Sequence, residues 1–193
     1  MSTLRVGTIT DLAGTGSPYQ KGSVVQVQYY QSIDNASFNL SSQRNADNTI
    51  PNFQVVITPA STNSIIKLDA QFSFGFSGNN YDMVLGFFRD STKLANSGSD
   101  LSASSLVPPG SYNTRRRGVV SPTSNLQGNN TFSMNQAYFT YFDTPATTSP
   151  VTYTVYIQSY DPNTTVYINS AANANSIGSE SGISWISATE IGV

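Results

Sequence analysis

From Ile66 to Phe76 the chain reads IKLDAQFSFGF, and every even position (Ile66, Leu68, Ala70, Phe72, Phe74, Phe76) is apolar while the odd ones are polar or small. At a helical period this pattern would scatter the apolar side chains all round a cylinder. At a period of two it gathers them on one face. The stretch is therefore predicted to be a long strand with one side in a core, and it commits the chain to at least one half-buried sheet.

A second stretch, Ala137 to Asn169, holds three runs rich in aromatic and β-branched residues. They are separated by Asp143-Thr-Pro145 with Ser149-Pro150, and by Asp161-Pro162-Asn163. Proline removes a ladder donor where pairing should stop, so the stretch reads as a meander of three antiparallel strands. Within it Val151, Tyr153, Val155 and Ile157 share one face, and Thr152, Thr154, Tyr156 and Gln158 share the other.

The same reasoning predicts strands at Ser23–Ser32, Phe53–Thr58, Tyr81–Arg89, Tyr112–Val120 and Ile183–Ile191. Ile33–Thr49 is polar and reads as loop with one short strand near Phe38; Gly78-Asn79-Asn80 reads as a hairpin turn. Leu94–Gly110 and Ser170–Gly182 read as loops. No segment has a helical pattern, and no fixed-period repeat points to a propeller or solenoid. The prediction is an all-β chain: an antiparallel β-sandwich, jelly-roll-like, over residues 17–193, preceded by a short N-terminal arm over residues 1–16.

The chemistry on offer is narrow. The chain has no histidine and no cysteine, which removes the Ser-His and Cys-His nucleophile systems, disulfides and the usual zinc ligands. Ser64 and Lys67 match an S-x-x-K spacing, but alternation on a strand places them on opposite faces. The aspartates stand singly, most beside turns (Asp11, Asp34, Asp47, Asp82, Asp100, Asp143, Asp161), where capping accounts for them. Two Asn/Asp loops, Gly78–Asp82 and Asp161–Thr164, lack the clustered carboxylates of a strong calcium site. No cofactor is expected, and no catalytic residue is assigned.

Charged residues make up only 10% of the chain and the net charge is −2, so neither nucleic acid nor an anionic membrane is an expected partner. No apolar run approaches the length of a membrane span, and Met1–Gly16 has neither the basic start nor the apolar centre of a secretory signal. Candidate contact residues remain. Leu4, Val6 and Ile9 in the arm suit either a strand added to a neighbour's sheet edge or a frayed terminus. Arg115 and Arg117 would share a strand face, to bind acidic groups, to pair at a subunit contact, or to stand solvated at an edge. Tyr156 and Tyr160, on polar faces, suit stacking on sugars or burial at an interface.

Seven segments in order carry a resemblance. They are Ser2-Thr-Leu-Arg-Val-Gly-Thr-Ile9, Gly22-Ser-Val-Val-Gln-Val-Gln28, Ile57-Thr-Pro-Ala-Ser-Thr-Asn-Ser-Ile-Ile66 and Phe87-Phe-Arg-Asp-Ser-Thr-Lys-Leu-Ala95, followed by Asp143-Thr-Pro-Ala-Thr-Thr-Ser149, Thr165-Val-Tyr-Ile-Asn169 and Ile186-Ser-Ala-Thr-Glu-Ile191. Together the chain resembles small structural proteins of tailed bacteriophages, of the tail-fibre type found in phages of cyanobacteria and marine bacteria. The resemblance implies a non-enzymatic virion protein with a jelly-roll domain, assembled as a homotrimer and held to other virion proteins by the arm through Leu4, Val6 and Ile9. With no secretory signal read in Met1–Gly16, synthesis in a host cytoplasm and release by lysis are expected. The expected role is a short tail fibre or receptor-binding component facing a host surface glycan. Capsid decoration is the first alternative, and a free carbohydrate-binding module the second.

Overall fold

The computed structural model describes residues 21–43, 46–77, 83–95, 118–122, 134–161, 163–172 and 180–193. Among the described residues ten strands run in chain order: β1 (Val24–Ser32), β2 (Ala36–Asn39), β3 (Asp47–Ile57), β4 (Ile65–Phe76), β5 (Met83–Arg89), β6 (Thr92–Lys93), β7 (Asn135–Asp143), β8 (Val151–Ser159), β9 (Thr165–Ile168) and β10 (Ser184–Ile191). Every pairing is antiparallel, and no helix occurs among the described residues. The chain is an all-β sandwich of a six-stranded and a four-stranded sheet. The predicted turn at Gly78–Asn80 and most of the predicted strand at Tyr112–Val120 lie outside the described residues.

The pairing is nested. β1 pairs with β10, β2 with β9, β3 with β8 and β4 with β7, so the chain folds back on itself as one long double ribbon. Rolling that ribbon brings β4 beside β10 and β9, and β5 beside β8, which closes the two sheets in a jelly-roll-like wrap. This corrects the predicted meander. β7, β8 and β9 are strands, but none pairs with the next: β7 and β9 belong to the six-stranded sheet and β8 to the other. Each crosses the sandwich at its proline-containing break because its partner lies in the earlier half of the ribbon. A further correction concerns Ile33–Thr49, whose last residues already belong to β3. That strand runs through Pro51 and Asn52, where a register shift and a φ of 59° at Asn52 accommodate the proline on an edge strand.

The core forms as the alternation requires. All six even residues of β4 from Ile66 to Phe76 are buried. Against them pack Phe53 and Val55 of β3, Leu85 and Phe87 of β5, and Val151, Val155 and Ile157 of β8. Aromatic pairs bridge the sheets: Phe53 lies 5.7 Å from Phe72, and Phe87 lies 4.9 Å from Phe139. Such contacts add to area burial through their edge and offset geometries.

Three polar side chains inside the sandwich tie elements together. Asn169, fully buried at φ 59°, donates from Nδ2 to the carbonyls of Ser32 (2.9 Å) and Asp34 (3.0 Å) and to Ser32 Oγ (3.2 Å). Its Oδ1 accepts from Ser184 Oγ at 2.7 Å. Asp143 accepts from Tyr153 Oη at 2.7 Å and pairs with Arg89 at 3.1 Å, clasping β7 to β8 and β5 across the sheets. It is therefore a cross-sheet tie rather than the turn cap expected. Burial, then the hydrogen bond to Asp143, pushes the Tyr153 phenol well above its ordinary range.

Glu190 is the third. Its carboxylate accepts from Gln26 Nε2 (2.6 Å), the Ala60 amide (2.7 Å) and Ser64 Oγ (2.5 Å), which pins the loop between β3 and β4 against β10. Burial pushes this carboxyl up, but the hydrogen bonds from Ser64, Gln26 and the Ala60 and Ser61 backbone outweigh it and hold it below the usual range. A folded-state value below the unfolded one contributes stability above the unfolded value, and that contribution is lost as pH falls through the folded value. Glu190→Gln turns the acceptor facing Gln26 into a donor, and near neutrality it is expected to cost about 2 kcal/mol. Thermal unfolding at stepped pH should show the gap between wild type and Glu190→Gln narrowing into the acid range; a constant gap would contradict the assignment.

Candidate functional site

Of the residues singled out from sequence, Leu4, Val6, Ile9, Arg115 and Arg117 lie outside the described residues. Tyr160 is half-buried just beyond β8. Tyr156 needs correction: predicted on a polar, accessible face, it is fully buried. Its ring lies on the outer side of β8 over Gly86 of β5, its register partner, where an added Cβ would come within 2.7 Å of the ring. Phe88 packs beside it at 5.0 Å, and Lys93, paired with Asp47, covers it with Nζ 4.7 Å from the ring centre. Burial, then the Asp47 charge, raises its phenol far above the ordinary range. A tyrosine opposite a glycine fills the missing volume, so Tyr156 supports the sheet and presents no ring to solvent.

The exposed aromatic surface lies elsewhere, on the outer face of the six-stranded sheet. Strand register sets it out in three rows. One row runs Phe142, Lys67, Thr189, Val27 across β7, β4, β10 and β1. The next runs Thr140, Asp69, Ser187, Tyr29, and the third Tyr138, Gln71, Trp185, Gln31. Phe142 is 57% exposed, Tyr138 58% and Tyr29 74%, more than an isolated surface ring requires. Trp185 is half-buried, and its ring leans toward that of Tyr138 across Gln71 with 5.9 Å between centres.

Asp69 stands in the middle row. Its Oδ1 accepts from Thr140 Oγ1 (2.6 Å) and Tyr138 Oη (3.1 Å), and its Oδ2 pairs with Lys67 at 2.9 Å. Burial pushes this carboxyl up, but hydrogen bonds from Thr140, Lys67 and Tyr138 outweigh it and hold it below the usual range. The hydrogen bond and charge of Asp69 in turn raise Lys67. A carboxylate kept ionised by three donors fixes geometry; it does not suit general acid work. Its effect is to anchor the Tyr138 hydroxyl and leave the ring exposed.

The strand of Lys67, Asp69 and Gln71 was legible from the alternation, and so was their place on the polar side. What was missed is that β1 presents Val27 and Tyr29 outward while Gln26 and Tyr30 turn inward, toward Glu190 and Phe53. The one available signal was the single tryptophan, which alternates with the small polar residues Ser187 and Thr189 along one side of its strand. Among the described residues, no three His, Cys, Asp or Glu side chains converge as metal ligands. Ser64 and Lys67 diverge, one buried against Glu190 and the other on the outer face beside Asp69. No protein-family model and no curated protein matches the chain.

Proposed function

We propose that this chain is a non-enzymatic structural component of a bacteriophage particle, a short tail-fibre or receptor-binding protein that docks by one pole and works at the surface it leaves free. The observation that supports this reading is the polarity of the sandwich. Gly22 and Gly192 meet at one end, with the Gly22 amide donating to the Gly192 carbonyl at 2.7 Å and the Gly192 amide to Ser23 at 2.9 Å. The described chain begins at residue 21, at that pole and beside the loop that Glu190 pins. The strand ends flanking residues 78–82 and 173–179 lie at the opposite pole, since β4 runs away from Ile65 and β10 runs back toward Ile191. Loops carried at the far end of a rigid scaffold are the usual place for variable contacts. Assembled as a homotrimer, the chain would multiply weak contacts to a host surface glycan into firm adsorption.

Deletion of residues 1–16 tests the docking. The far-UV circular dichroism and melting temperature of the variant should match wild type, while the protein disappears from purified particles. Incorporation of the folded deletion variant at wild-type level would overturn the reading. Gold labelling of intact particles decides the location: label on the tail supports it, and label over the capsid replaces it with a decoration role.

A further inference from the structure

We infer that the outer face of the six-stranded sheet, centred on Tyr138, Trp185 and Tyr29, is a binding platform for a neutral saccharide. The inference gives the receptor-binding reading a surface and a ligand class, and it rests on that reading only for its biological setting.

Three observations carry it. The first is chemical composition: the rings of Tyr138 and Trp185 alternate with the amides of Gln71 and Gln31 along one row, and the neighbouring rows add Tyr29 and Phe142 beside the hydroxyls of Thr140, Ser187 and Thr189. A sugar ring offers an apolar face edged by hydroxyls, and such rows meet both at once, by stacking and by hydrogen bonding. The second is charge. Lys67 and Asp69 are the only ionic side chains in the three rows, and they neutralise each other at 2.9 Å. A face without net charge holds no attraction for a polyanion or an anionic membrane. The third is rigidity and size. Asp69 fixes the Tyr138 hydroxyl, and Trp185 braces its ring, so little side-chain freedom is lost on binding. Four strands and three rows span about 14 Å by 14 Å, roughly 200 Å². A stable protein partner takes about 20–30 residues on each side, and the three rows offer twelve, so the aromatic patch suits an oligosaccharide better than a second copy.

Trp185 is the chain's sole tryptophan, so its fluorescence reports occupancy of this face directly. The full-length chain should be titrated with maltohexaose, cellohexaose, chitohexaose and mannohexaose, and screened on an array holding neutral and acidic glycans. At least one neutral saccharide is expected to shift Trp185 emission, with an affinity insensitive to salt. Tyr138→Ala and Tyr29→Ala should each weaken it at least tenfold while keeping the wild-type far-UV circular dichroism and a cooperative melt, Tyr138→Ala lowering the melting temperature modestly because Asp69 loses one donor. The inference is overturned if no neutral glycan binds, if only acidic glycans bind, or if binding survives both substitutions. A concentration-dependent dimer abolished by Tyr138→Ala would also overturn it, by assigning the face to another copy. These outcomes are independent of particle incorporation, so a failed platform and a failed docking arm are told apart.

Discussion

Phe72→Ala should destabilise the protein by about 4 kcal/mol. Phe72 is fully buried at the centre of β4, stacked 5.1 Å from Phe74 and 5.7 Å from Phe53 of the opposing sheet. Removing its ring forfeits the transfer free energy of the lost atoms and leaves a cavity between two sheets held apart by their other side chains. Collapse is resisted because Phe74 and Phe76 continue the same row, with ring centres 5.3 Å apart. For a domain of this size the melting temperature should fall by roughly 8–16 °C. Phe72→Leu, which keeps most of the volume, should lose less than half as much. Thermal and urea unfolding of both variants would check this, and equal losses would contradict cavity formation as the cause.

Asn169→Ala is expected to cost a similar amount, about 4 kcal/mol, from a side chain with little apolar surface. The substitution strands the Ser32 and Asp34 carbonyls and the Ser184 hydroxyl, each deprived of a buried partner. It also asks alanine to adopt φ 59°, a left-handed conformation that asparagine tolerates better. Asn169→Gly separates the two contributions. Glycine accepts the backbone at no strain but supplies no hydrogen bonds, so it should recover only about 1 kcal/mol. Because Asn169 joins the ends of β9 and β1 to the start of β10, amide exchange at Ser32, Asp34 and Ser184 should speed up well beyond that of β8. Full recovery in Asn169→Gly would place the cost in the backbone and refute the network.

The exposed aromatic face is legible in the sequence only in fragments. Lys67, Asp69 and Gln71 declare themselves by alternating with large apolar residues. Tyr138 and Phe142 carry no such mark, since the run AYFTYFD is aromatic on both sides and β7 could have buried either one. Tyr156 looked available for the converse reason. Its threonine and glutamine neighbours mark a polar face, while the glycine that makes room for its ring lies seventy positions earlier on β5.

Local alternation by itself determined that the fold is all-β, and which side of β4 and β8 enters the core, because a period of two leaves a one-sided apolar face nowhere else to go. Which strands become neighbours was decided only in three dimensions. The nested pairings of β1 with β10, β2 with β9, β3 with β8 and β4 with β7 join residues far apart in the chain, and nothing in a local pattern encodes a partner. The same holds for the direction in which β1 points its side chains. Its valines and Tyr29 would serve a core as readily as Tyr30, and the register that binds Gln26 to a buried Glu190 is what turns them outward.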